Sequence, residues 1–163
     1  MYPSGESPAP TPCPELRFHR LLVAIDGSAG SELALAAALT IARRDHASLT
    51  LLSVASDATA DMAGWSAARI GAVPPTQEER DACADKVLRN AVARLPEDVS
   101  VRTIVRRGRP GPAIVAEARG GTYDGLLVGA RGLGRVGALV GSVSQYVLHH
   151  APIPVFVAHA PRE

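Results

Sequence analysis

The residues with the most chemical promise lie in one segment, Gly129-Ala130-Arg131-Gly132-Leu133-Gly134-Arg135-Val136-Gly137-Ala138-Leu139-Val140-Gly141-Ser142, which holds five glycines. Glycine permits positive φ and lets backbone amides come close to an anion. A helix opening near Gly141-Ser142 turns unpaired N–H groups and the positive end of its dipole toward phosphate oxygens. Ser142 and Ser144 add hydroxyl donors, and Asp26-Gly27-Ser28 forms a second polar turn. Each feature also has a plainer reading. A glycine-rich connection can be only a turn, Asp26 can accept amides before a helix, Ser142 and Ser144 can cap, and Arg131 and Arg135 can be solvated surface cations.

Other chemistries fit less well. Lys86 is the only lysine and no Gly-Lys-Ser or Gly-Lys-Thr occurs, which excludes a P-loop of the usual kind. The two cysteines, Cys13 and Cys83, have no zinc or redox spacing, and His149 and His150 are adjacent, so on a helix they point apart. No metal site is expected.

The elements that must position these residues follow from the apolar pattern. Arg20 to Asp26 is a nearly continuous apolar run, as expected for a strand buried on both faces, and Ser28 caps a helix over 29–45. Ser48 to Ala55 reads as a second strand. Residues 56–75, with Trp65, have no clear period and read as a loop or lid. Thr76-Gln77-Glu78-Glu79 has the form of a capping box, and Ala84, Val87, Leu88, Ala91 and Leu95 trace one face of the helix after it, with Pro96 as its stop. Val99 to Val105 is a third strand, followed by a short helix with Pro110 and Pro112 in its first turn and Gly120-Gly121 at its end. Asp124 to Gly129 is a fourth strand, Ser142 to His150 a helix and Ile153 to Ala158 a fifth strand. Strands alternating with helices give a parallel sheet, whose ligands bind beyond the carboxyl ends of the strands at the switch point. That rule selects the ends after Asp26 and Val128. A dinucleotide-binding arrangement does not fit, because the glycine loop follows the fourth strand rather than the first.

With 163 residues, 47% apolar and 4% aromatic, the chain suits one α/β domain. Its 17 basic and 16 acidic residues nearly cancel, so no overall field draws it to nucleic acid or an anionic membrane. Its apolar runs fall well short of the about 20 residues that span a bilayer, and the N-terminus lacks a signal-peptide pattern, so the expected location is cytoplasmic. Residues 1–17 hold five of the thirteen prolines and read as a disordered tail before a domain over 18–160.

Three stretches, Leu21 to Ser28, Tyr123 to Gly132 and Gly141 to Val155, resemble motifs of the universal stress protein family, and the resemblance extends over residues 19 to about 159. It implies a five-stranded parallel sheet with helices on both faces, Rossmann-like and similar to adenine nucleotide alpha hydrolases, in the order 3-2-1-4-5. It also implies a homodimer through the last strand, Ile153 to Ala158, and a division between members that bind ATP and members that do not. ATP-binding members carry Gly-x-x-Gly, nine residues, then Gly and Ser or Thr. Here Gly129-x-x-Gly132 is followed by eight residues before Gly141-Ser142, one fewer. By resemblance, Asp26 and the backbone of Ala24, Ile25 and Val54 surround the adenine, and Val128 and Gly129 the ribose. Gly132, Gly141, Ser142, Val143 and Ser144 hold the phosphates, with Arg131 close by and magnesium accompanying the ATP.

Three functions remain open at this level: an ATP-binding regulatory module, an interaction protein without nucleotide, and a slow ATP hydrolase. Against the last, Asp26 is the only acid the sequence brings to the site, and no catalytic pair is evident.

Overall fold

Uninterrupted apolar strands need cover on both faces, and a parallel sheet between two helix layers provides it. The computed structural model describes residues 16–57, 75–130 and 142–159. Within them the chain runs β1 (Arg20–Ala24), α1 (Ala29–Asp45), β2 (Ser48–Ala55), α2 (Gln77–Val92), β3 (Val101–Arg107), α3 (Pro110–Gly120), β4 (Gly125–Gly129), α4 (Ser142–His150) and β5 (Val155–Ala158). All pairings are parallel, in the order β3-β2-β1-β4-β5, as the resemblance implied. Most of the 1–17 tail, and Trp65 with the rest of 58–74, lie outside the described residues.

Side chains of β1 alternate between two cores. Leu21 and Val23 join Leu49, Leu51 and Leu127 beneath α1 and α2. Leu22 joins Leu52, Leu126, Ile114 and Val147 beneath α3 and α4. Seven leucines of β1, β2 and β4 are less than 2% exposed, and each contributes about 2 kcal/mol of burial. Ala34, Ala38 and Ala42 recur every fourth residue on α1, so that helix lies close to the sheet.

The capping box is present. Thr76 Oγ1 accepts from Glu79 N at 3.2 Å and Glu79 Oε2 accepts from Thr76 N at 2.8 Å. Element ends differ from expectation for identifiable reasons. β1 stops at Ala24 rather than Asp26, although Ile25 N still donates to Leu52 O at 2.8 Å. α2 ends at Val92 instead of reaching Leu95. Arg94 and Leu95 donate to carbonyls three residues back, a tightened turn that prepares for Pro96, whose ring disfavours helix at the preceding residue. β3 starts at Val101, not Val99, because Val99 N is taken up by Pro96 O at 3.4 Å in that turn. β5 starts at Val155, not Ile153: Pro154 has no N–H to give and offers only its carbonyl, which accepts from Leu126 N at 2.9 Å.

The amino ends of the strands are held by carboxylates. Asp45, closing α1, accepts from Phe18 N at 3.0 Å. Asp124 accepts from His19 N at 2.7 Å and Arg20 N at 3.0 Å. The bond from Arg44, then that from the Phe18 amide, lowers the Asp45 carboxyl to about 2. The sheet edges differ in character: β3 exposes Arg102, Arg106 and Arg107, whereas Val155 to Ala158 of β5 are all half-buried and apolar.

Candidate functional site

The strand order reverses between β1 and β4, so the connections leaving their carboxyl ends run to opposite faces of the sheet. A cleft of about 630 Å3, part of it open to solvent, occupies that position. Its sides come from six elements and one turn. Ala24 ends β1, Ile25 and Asp26 lead out of it, and Ser28 and Ser31 begin α1. Leu52 and Val54 come from β2, Pro110 and Ile114 from α3, Gly129 from β4, and Val143 and Ser144 from α4.

The lining is mostly apolar with four polar side chains among it. Ala24, Leu52, Val54, Pro110, Ile114 and Val143 offer no side-chain hydrogen bond, which suits a flat heterocycle. The polar lining residues are Asp26, Ser28, Ser31 and Ser144, of which Ser31 and Ser144 are buried, and each is engaged locally. Ser28 N donates to Asp26 Oδ1 at 3.0 Å, and Ser31 N donates to Ser28 Oγ at 3.2 Å, which makes Ser28 the N-cap of α1. Ser31 Oγ donates to Ser28 O at 2.9 Å, and Ser144 Oγ donates to Gly129 O at 2.8 Å. α4 begins at Ser142 and brings Val143 and Ser144 to the cleft, and the N-terminal end of a helix is a natural seat for an anion.

Backbone contact holds the cleft floor. A Cβ on Gly129 would fall on the Gly30 carbonyl, and one on Gly30 would fall on the Ala130 carbonyl. The first turn of α1 therefore lies directly on the end of β4. From there Ala130 N donates to Ala158 O at 2.7 Å, which ties the same point to β5.

Seven of the residues singled out from sequence meet in this cleft: Ala24, Ile25, Asp26, Val54, Gly129, Val143 and Ser144. Val128 is 2% exposed and belongs to the α3–α4 core. Ser142 starts α4 and is exposed beside the cleft without lining it. Arg131, Gly132 and Gly141 lie outside the described residues, and so does most of the glycine loop. Sequence reasoning missed Ser31, Leu52, Pro110 and Ile114 as lining residues. Pro110 and Ile114 carried one usable signal, since α3 starts at the carboxyl end of β3, beside the selected end of the sheet.

Residues 17–159 match the model of the Universal stress protein family. The chain is 32% identical over 145 residues to Universal stress protein YxiE of Bacillus subtilis, covering 86% of this chain and 98% of that one. It spans 44% of the length of a universal stress protein of Mycobacterium tuberculosis that it matches at 34% identity over 85% of this chain. Among solved structures, universal stress protein UspA from Lactobacillus plantarum superposes with a TM-score of 0.68 at 28% identity, over 89% of this chain and all of that one. A universal stress protein in complex with cAMP superposes with a TM-score of 0.57 at 26% identity, over 88% and 98%. With the family's match running from before β1 to beyond β5, this chain belongs to the universal stress protein family.

Proposed function

We propose that the protein is an adenine-nucleotide-binding regulator of the stress response, in which occupancy of the cleft biases the contacts of a cytoplasmic homodimer or of a partner protein. The observation that carries this reading is the cleft itself, mostly apolar in its lining with a few polar groups, at the switch point. A relative at 26% identity has been solved with cAMP, which supports an adenine ring between such walls. The first-turn amides of α4 suit the phosphates, and Asp26 beside phosphate oxygens suits magnesium, which commonly takes one or two carboxylates. ATP with magnesium is the proposed physiological ligand. Little or no hydrolysis is proposed, because Asp26, the only titratable side chain lining the cleft among the described residues, is engaged by the Ser28 amide. The half-buried apolar edge of β5 is the proposed dimer seam.

Calorimetric titration of stripped protein with magnesium ATP, AMP and cAMP tests the reading. The expected result is micromolar affinity for ATP, about 8 kcal/mol, lost in Gly141→Val. No heat and no thermal stabilisation at millimolar nucleotide would overturn it. A second reading, an interaction protein without nucleotide, then takes its place. It is favoured by one observation, that Asp26, Ser28, Ser31 and Ser144 already satisfy one another or nearby backbone.

A further inference from the structure

α3 and α4 face each other across one side of the cleft, the first bringing Pro110 and Ile114 and the second Val143 and Ser144. Between Pro110 and Ile114 sits Gly111, buried, with the ring of Tyr146 resting on its Cα. A Cβ at Gly111 would stand 2.8 Å from Tyr146 Cδ1, 3.0 Å from Cγ and 3.2 Å from Cβ. Cδ1 and Cγ can turn aside about χ1 only by breaking the ring's present stacking, and Cβ moves only with α4, so the added methyl group pushes on α4 itself. The ring is also held from its other side. His150 stacks on it with centroids 4.1 Å apart and planes 15° apart, and His150 Nδ1 lies 2.8 Å from Tyr146 O. Arg119 of α3 donates to His150 O at 3.3 Å, which joins the two helices again at the far end of the stack. The Tyr146 hydroxyl makes no hydrogen bond among the described residues, so the ring contributes its bulk.

We infer that Tyr146, seated on Gly111, is a positioning residue that sets the spacing of α3 and α4, and with it the width of base the cleft admits. The inference rests on the nucleotide reading above. Glycine at 111 lets the aromatic ring serve as the spacer; any side chain there pries the helices apart at the end where Pro110 and Val143 face the ligand.

The test is competition binding of AMP and its 1,N6-etheno analogue, whose base carries an extra fused ring, to stripped full-length protein. Gly111→Ala adds a methyl group under the ring, and Tyr146→Trp enlarges the ring itself. Each is expected to raise the etheno-to-AMP affinity ratio at least about fivefold. Tyr146→Phe keeps the spacer and is expected to leave the ratio within about twofold. Should Gly111→Ala fail to fold, Tyr146→Trp carries the test without any change to α3. A lower melting temperature with an unchanged ratio would show a packing role alone and overturn the inference. AMP binding by wild type distinguishes this failure from that of the underlying reading: binding of neither nucleotide overturns both, and binding of AMP with no shift in either variant overturns this inference only.

Discussion

The amino end of the sheet and the cleft at its carboxyl end are held together in opposite ways. At the amino end, side chains reach across the sequence: Asp45 accepts an amide 27 residues away, and Asp124 accepts two that are 104 and 105 residues away. At the carboxyl end Arg80 and Arg107 bridge the β2–β3 side, reaching Ser56 and Asp81, 24 and 26 residues away, but around the cleft the polar side chains bond close by, with Asp26, Ser28 and Ser144 reaching partners 2, 3 and 15 residues away. What joins distant segments there is bare backbone, Gly30 against Gly129. Long-range polar bonds tie the amino end together. Short-range ones around the cleft leave polar groups that can exchange a partner for a ligand without opening the fold.

The largest effect tests the backbone contact. Gly129→Ala drives a methyl group into the Gly30 peptide, which has no flexible end to give way. The expected loss is about 3 kcal/mol, at the top of the range for overpacking, measured by urea unfolding. A loss below about 1 kcal/mol would mean that α1 can lift off β4 freely. The contrast would then fail at its strongest point.

The amino end is tested by pH. The Asp45 carboxyl is lowered when folded, to about 2 from 3.8. It therefore contributes stability above its unfolded value and loses that contribution as pH falls through the folded one. The stability gap between wild type and Asp45→Asn should be constant from pH 7 to about 5, shrink between about pH 4 and 2, and be gone below. Unfolding midpoints at pH 7, 4 and 2.5 check this, and a gap independent of pH would remove Asp45 as a charged staple.

The polar groups of the cleft are expected to be softer. Ser144→Ala loses the bond to Gly129 O and should cost about 1 kcal/mol. A matching loss of nucleotide affinity would show that the hydroxyl also meets the ligand, whereas unchanged affinity would make it purely a tie between α4 and β4. The smallest effect concerns the start of the chain. Removal of residues 1–17 sacrifices the exposed bond from Arg44 to Leu16 O but keeps Phe18, so the melting temperature should move by less than about 3 °C. A larger drop would show that the amino end of the sheet draws support from beyond its carboxylates.

Much of this contrast was legible in the residues, and the illegible part has a physical cause. The continuous apolar runs at Leu21 and Leu126 announced strands buried on both faces, and Thr76 with Glu79 announced a cap that is present bond for bond. Asp26, Gly129 and Ser144 could be placed at the site because helices and strands alternate and the switch point follows from that. Gly30 could not be read, since its constraint is the carbonyl of Ala130, on a strand end nearly a hundred residues downstream. The amides that Asp45 and Asp124 accept could not be read for the same reason, since they lie 27 and 104–105 residues away. Ile114 gave only the apolar signal of a helix interior, and its second role at the cleft depends on where the crossover sets α3. Local rules reveal what a residue does to its neighbours in sequence; these residues act on partners chosen by topology.

The central position of β1 has a consequence for how the protein is made. Leu21, Leu22 and Val23 pair on one side with β2, which follows almost at once, and on the other with Gly125, Leu126 and Leu127. During synthesis the first of these edges closes early, while the second stays open until about a hundred more residues have left the ribosome, an interval of about 5–20 s at ordinary elongation rates. For that time the nascent chain displays an unpaired apolar strand, the kind of surface that chaperones capture and that neighbouring chains can pair with. The middle of the finished sheet is thus the most exposed part of the unfinished one.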